Sequence, residues 1–97
     1  MRILFCGDIV GRAGRDAISK HVPILRRQLK TDFVIANGEN AAHGFGMTEK
    51  TCAEIFAAGV DVITGGNHTW DKAEIIPHMD GNPRLLRPAN FPKTTPG

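Results

Sequence analysis

Three short apolar runs in this chain end in the same way. Ile3-Leu4-Phe5-Cys6 stops at Gly7-Asp8, Phe33-Val34-Ile35-Ala36 stops at Asn37-Gly38-Glu39-Asn40, and Val62-Ile63-Thr64 stops at Gly65-Gly66-Asn67-His68. The first run is continuously apolar instead of alternating, which predicts a strand from Arg2 to Cys6 in a parallel sheet covered on both faces. Strands that alternate with helical stretches at this spacing imply βαβ units and an α/β fold. If the runs are neighbours, their carboxyl ends lie along one edge, and ligands of open α/β sheets bind beyond such ends. Asp8, Glu39, Asn40, Asn67 and His68 then make up the candidate site.

The stretches between the runs support that layout. Asp8 to Gly14 reads as a glycine-punctuated loop, and Ile18, Val22, Leu25 and Leu29 form a helical stripe after it. Pro23 interrupts the stripe and predicts a kink or break near His21-Val22. Arg26, Arg27 and Lys30 read as a solvated last turn that suits the helix dipole. Asn40 to Gly46 reads as a flexible loop in which His43 is exposed. Thr48 is the predicted N-cap of a second helix, with Cys52, Ile55 and Phe56 on one face and Gly59 as its stop. Val60 to Thr64 is the third strand, a short helix ends near Met79, and Asp80-Gly81-Asn82-Pro83 is a turn. Leu85-Leu86 forms a brief fourth strand, and Pro88, Pro92 and Pro96 punctuate an extended, uncapped tail. Trp70 is expected to pack behind the site.

Ninety-seven residues suffice for one small domain, and a chain of this size buries about 60–65% of its unfolded surface. A hydrophobic share of 41% with 23% charged residues excludes a disordered chain. Twelve basic against ten acidic residues leave a net charge of +2, too weak to indicate nucleic-acid binding. Cys6 and Cys52 form no C-x-x-C pair and fall within apolar runs, so they read as reduced, buried hydrophobes. The opening apolar run is too short for a signal peptide or membrane span, so the expected location is cytoplasmic, with no membrane partner.

Asp8, Glu39 and the amide oxygens of Asn40 and Asn67 are hard donors suited to divalent cations, and oxygens of this kind accept iron, manganese or magnesium. His68 carries an imidazole, a side chain equipped to hand a proton to a leaving oxygen. Taken singly, each of these residues reads first as an ordinary turn former, loop cap or loop histidine. Three clusters in register favour a site. The chain has no G-x-x-x-x-G-K-[ST], no G-x-G-x-x-G after the first strand, no G-x-S-x-G and no H-E-x-x-H, so a nucleotide-cradling loop is not indicated.

Four blocks carry a resemblance: Gly7-Asp8-Ile9-Val10-Gly11, Asn37-Gly38-Glu39-Asn40-Ala41-Ala42-His43-Gly44, Gly66-Asn67-His68-Thr69-Trp70-Asp71 and Arg87-Pro88-Ala89-Asn90-Phe91-Pro92. Together they resemble the YmdB-like bacterial metallophosphoesterases, phosphodiesterases acting on cyclic nucleotides such as 2′,3′-cyclic AMP. The resemblance implies a calcineurin-like α/β sandwich, of which residues 1–97 would be the N-terminal portion of a single domain. It also implies a dinuclear centre in which Asp8 and Asn40 bind the first metal, Glu39 bridges both, Asn67 binds the second and His68 is the proton donor. Val10 stands where the wider superfamily has a histidine, and Glu39 replaces the usual bridging aspartate; both departures are habitual in this subfamily. Further histidine ligands are implied in the second half of longer members, so this chain alone is expected to be inactive. A sheet lacking part of its partners would expose an edge strand, and the expected state is a homo-oligomer. The rival reading is a non-catalytic α/β module that binds a nucleotide or a protein at the same strand ends.

Overall fold

In the computed structural model, which describes all 97 residues, the chain runs β1 (Ile3–Cys6), α1 (Gly11–Leu29), β2 (Phe33–Asn37), α2 (Glu49–Ala57), β3 (Val62–Thr64), a 3-10 turn (Ala73–Ile75), α3 (Ile76–Met79) and β4 (Leu85–Leu86). The strands lie side by side in chain order, and every neighbouring pair is parallel. The expected parallel α/β arrangement is therefore present, with its strands and helices in the predicted order.

Register places Cys6, Ala36, Ile63 and Leu85 in one row across all four strands. Successive side chains on a strand point to opposite faces, so this row shares a face with Leu4 and Val34. Val22 from α1 and Cys52 and Ile55 from α2 pack on that face, closing a core in which Val34, Ala36 and Ile63 are wholly buried. The other face carries Ile3, Phe5, Phe33, Ile35, Val62 and Leu86, and no helix lies on it. Phe5 is 60% exposed and Ile3 55%. The expectation of strands covered on both faces is thus corrected: both crossover helices pack on the same side. A thinnest dimension of 19 Å agrees with one sheet layer and one helix layer.

The first helix also departs from expectation. It begins at Gly11, inside the predicted loop, and continues unbroken through Pro23 to Leu29. Proline at position 23 removes one backbone donor, but the carbonyl it would have served belongs to Ser19, an exposed residue that water can satisfy. Arg26 is not part of a solvated turn. Its guanidinium donates to the Gly59 carbonyl and, at 3.0 Å, to Asp61 Oδ2, which also accepts the Val34 amide at 2.8 Å. The arginine therefore ties α1 to the entrance of β3. Leu29, assigned to the apolar stripe, is 45% exposed.

Thr48 caps α2 as the sequence suggests, in a reciprocal arrangement with Thr51. Gly59, at φ 108°, turns the chain after that helix in a conformation that favours glycine. Both cysteines are free, and burial pushes the Cys52 thiol up to about 12. The tail is held, contrary to expectation. Trp70 Nε1 donates to the Pro96 carbonyl at 3.1 Å, its ring meets Phe91 edge-on with centroids 4.9 Å apart, and the Gly97 amide reaches Asp80.

Candidate metal centre

The site grows out of backbone ties between neighbouring strand ends. Asp8 lies in the short link from β1 to α1. That link is fixed to the end of β2 and the turn after it just beyond Asp8, because the Ile9 amide donates to the Asn37 carbonyl at 3.1 Å and the Gly11 amide to the Asn40 carbonyl at 2.9 Å. The result is a direct side-chain contact: Asn40 Nδ2 lies 3.0 Å from each carboxylate oxygen of Asp8. The carbonyl oxygen of the Asn40 side chain remains free to accept a cation.

Glu39 is seated on the third strand end. The Gly38 amide donates to the Thr64 carbonyl at 3.0 Å, and a Cβ on Gly38 would stand 2.7 Å from Ile63 Cγ2. Only glycine permits that approach. The Glu39 amide is held by Asn37 Oδ1 at 3.3 Å, and its carboxylate lies across Gly66, where an added Cβ would run into it. The His68 amide donates to Glu39 Oε2 at 3.1 Å. Thr69, fully buried, closes the turn beneath, its hydroxyl donating to the Gly66 carbonyl at 2.7 Å and accepting the Gly66 amide at 2.8 Å. The two glycines that end β3 therefore have different tasks. Gly65 leaves space for Thr69, and Gly66 leaves space for the Glu39 carboxylate.

His68 is exposed, and its Nδ1 lies 2.7 Å from Asp71 Oδ2. An ionised carboxylate only accepts, so this contact places a hydrogen on Nδ1 and leaves Nε2 as the atom for proton exchange. Asp71 was not among the residues singled out from the sequence. The available signal was its spacing of three from His68 in a loop that turns back on itself. Asn67 is exposed, and no hydrogen bond within the chain holds its amide. His43 is exposed, as expected, and stands at φ 46°.

Two pairs are thus assembled, Asp8 with Asn40 and Glu39 with the His68 backbone, along the carboxyl edge of β1, β2 and β3. No three His, Cys, Asp or Glu side chains converge into a ligand cluster. The edge is open to solvent. A cleft of about 370 Å³ lies elsewhere, between α2 and α3 on the helix-covered side, lined by Cys52, Phe56, His78 and Leu85 among others. It contains none of the five candidate residues, and the chemistry of the donor set favours the strand edge as the site.

A parallel α/β sheet with oxygen donors at three adjacent strand ends and a loop histidine beside them places the candidate residues where open α/β sheets bind their ligands. Residues 4–97 match the YmdB-like protein family, and the chain belongs to that family. It is 57% identical over 97 residues to a 2′,3′-cyclic-nucleotide 2′-phosphodiesterase of Bacillus subtilis, of which it spans 37%. A crystal structure of a hypothetical protein from Thermus thermophilus superimposes with a TM-score of 0.92 at 41% identity, covering all of this chain and 37% of that one. A structure described as a novel phosphatase from Mycoplasma pneumoniae gives a TM-score of 0.88 at 36% identity, covering 95% of this chain and 33% of that one. The chain therefore spans about a third of the length of these relatives. Its relatives bear phosphodiesterase and phosphatase names, which supports an enzyme family. No helix is long and apolar enough to cross a membrane.

Proposed function

We propose that this chain carries one side of a metal-dependent phosphodiesterase centre whose substrate is a cyclic nucleotide of the 2′,3′-cyclic type. The observation that carries the reading is the joining of three strand ends by functional groups: Asp8 to Asn40, and Glu39 to the turn that bears Asn67 and His68. Asp8 and Asn40 would hold one divalent cation, Asn67 a second, and Glu39 would bridge them; iron and manganese suit the site, and magnesium is compatible with its oxygens. Bound there, such cations would supply Lewis-acid polarisation of phosphoryl oxygens and a lowered pKa for water.

The residues of the chain supply the rest. The Gly66 cradle and the His68 amide hold the Glu39 carboxylate in one orientation. Asp71 fixes the His68 ring so that Nε2, once protonated, can deliver a proton to the leaving ribose oxygen. Stabilising that alkoxide as it departs is the task His68 is suited to, because a sugar hydroxyl is a poor leaving group without a proton. No three His, Cys, Asp or Glu side chains of this chain come together as a ligand cluster, so the 97 residues alone are proposed to be inactive.

The test measures metal content and hydrolysis of adenosine 2′,3′-cyclic phosphate for this chain and for a family-length protein containing it. Metal-dependent hydrolysis by the longer protein alone is the expected result. A longer protein that binds the nucleotide without cleaving it, metal present or removed, would favour the non-catalytic binding module instead.

A further inference from the structure

The loop between β2 and α2 carries a feature that the proposed metal chemistry does not use. It leaves Asn40, passes Gly44 beside Gly11 at the start of α1, and returns at Gly46 against the backbone of Lys72, just after Asp71. Its tip therefore stands over the carboxyl end of the central strand pair, between the link that bears Asp8 and the loop that bears His68. The tip is fixed by internal bonds, Phe45 amide to Ala42 carbonyl and Ala42 amide to Gly46 carbonyl, each at 3.0 Å. A side chain on Gly46 would meet Lys72 Cγ at 2.9 Å and its backbone nitrogen at 3.1 Å, so the loop and Lys72 are closely packed. Yet Phe45 is 47% exposed, and the Lys72 ammonium sits 4.3 Å from its ring centroid.

An aromatic face and a cation on two pinned loops match the two chemical features of a nucleotide, a planar base and an anionic phosphate. We propose that Phe45, through the ring face that Lys72 does not cover, is the stacking platform for the base of the substrate nucleotide, with the Lys72 ammonium over the opposite face supplying positive charge. This rests on the phosphodiesterase reading and adds a specificity residue to it. Base stacking on an aromatic tolerates any base, because every base offers a π face. Preference for nucleotides over base-free cyclic phosphates is then the property Phe45 confers.

The test uses a family-length protein containing this chain, with adenosine 2′,3′-cyclic phosphate and base-free ribose 2,3-cyclic phosphate as paired substrates. Phe45→Ala should raise KM for the nucleotide by roughly 5- to 150-fold, leave kcat within about twofold and leave the base-free diester unchanged, while Phe45→Trp restores the nucleotide KM. Equal changes for both substrates, or none for either, overturn the platform. Calorimetric binding of adenosine 2′-monophosphate gives a readout independent of turnover: weakened in Phe45→Ala it supports the proposal, unchanged it refutes it. If the unaltered protein cleaves neither diester, the phosphodiesterase reading fails, and the calorimetry still decides the platform.

Discussion

The two faces of the sheet are built from the same kinds of residue and have opposite fates. On one, Val34, Ala36 and Ile63 vanish beneath α1 and α2; on the other, Ile3, Phe5 and Leu86 face solvent on the same side as Phe33, Ile35 and Val62. The helix-covered face supplies the stability of this chain. The open face contributes apolar surface that no element of the chain covers, and contiguous exposed apolar surface of this kind ordinarily marks a contact site. The candidate centre lies at the edge where both faces end, so its residues are held from one side only. There the candidate residues are brought together in two pairs, Asp8 with Asn40 and Glu39 with the His68 amide, and no cluster of three acidic, histidine or cysteine side chains forms.

Substitution on the covered face should have the largest effect. Ile63→Ala leaves a cavity beneath α2 and is expected to cost about 2–5 kcal/mol, read as a shift in the urea midpoint. A cost near zero would mean that the helical layer is not packed as described. Next comes Thr69, which supports the turn under Glu39. Thr69→Val should lose about 1–3 kcal/mol, because the Gly66 amide is left without its partner, while the Gly66 carbonyl keeps only the Thr69 backbone amide at 3.2 Å. An unchanged midpoint would show that this turn is held by other contacts.

A smaller effect depends on pH. The Cys52 thiol is raised to about 12 by burial, so the folded chain keeps a proton that the unfolded chain releases at lower pH. The stability it contributes is full below the ordinary thiol value and is lost as pH rises toward 12. Cys52→Ala should flatten the fall in the urea midpoint across that alkaline window, and parallel curves for the two proteins would contradict the assignment. The smallest effect belongs to the open face. Phe5→Ser should change monomer stability by no more than about 0.5 kcal/mol, while reducing any self-association seen by sedimentation. A large loss of monomer stability would show that the open face is covered after all.

Much of this arrangement was legible in the sequence. Apolar runs closed by glycine marked all three principal strands, and Thr48, Gly59 and Leu85-Leu86 marked boundaries where local chemistry decides the structure. The open face was not legible, because Ile3 and Phe5 are the same letters whether or not a layer covers them. Pro23 misled for a different reason: its unmatched carbonyl faces water, and packing of Val22 together with the Arg26 tie keeps the helix intact. Arg26 itself shows that a basic last turn can be a tertiary anchor. At the site, the sequence indicated the five residues and their shared edge, but not that Gly66 is a seat for Glu39 or that Asp71 holds His68. Those relations depend on distances between strand ends that composition and spacing do not carry.

The strand edge is proposed to divide its labour, with Glu39 joining the cations and His68 moving the proton. Metal content and turnover of adenosine 2′,3′-cyclic phosphate, measured together in a family-length protein containing this chain, test that division most directly. Glu39→Gln is predicted to lose metal and activity together, whereas His68→Ala keeps its metal and loses turnover. A fully metallated, active Glu39→Gln protein, or a His68→Ala protein that loses metal in proportion to rate, would contradict it.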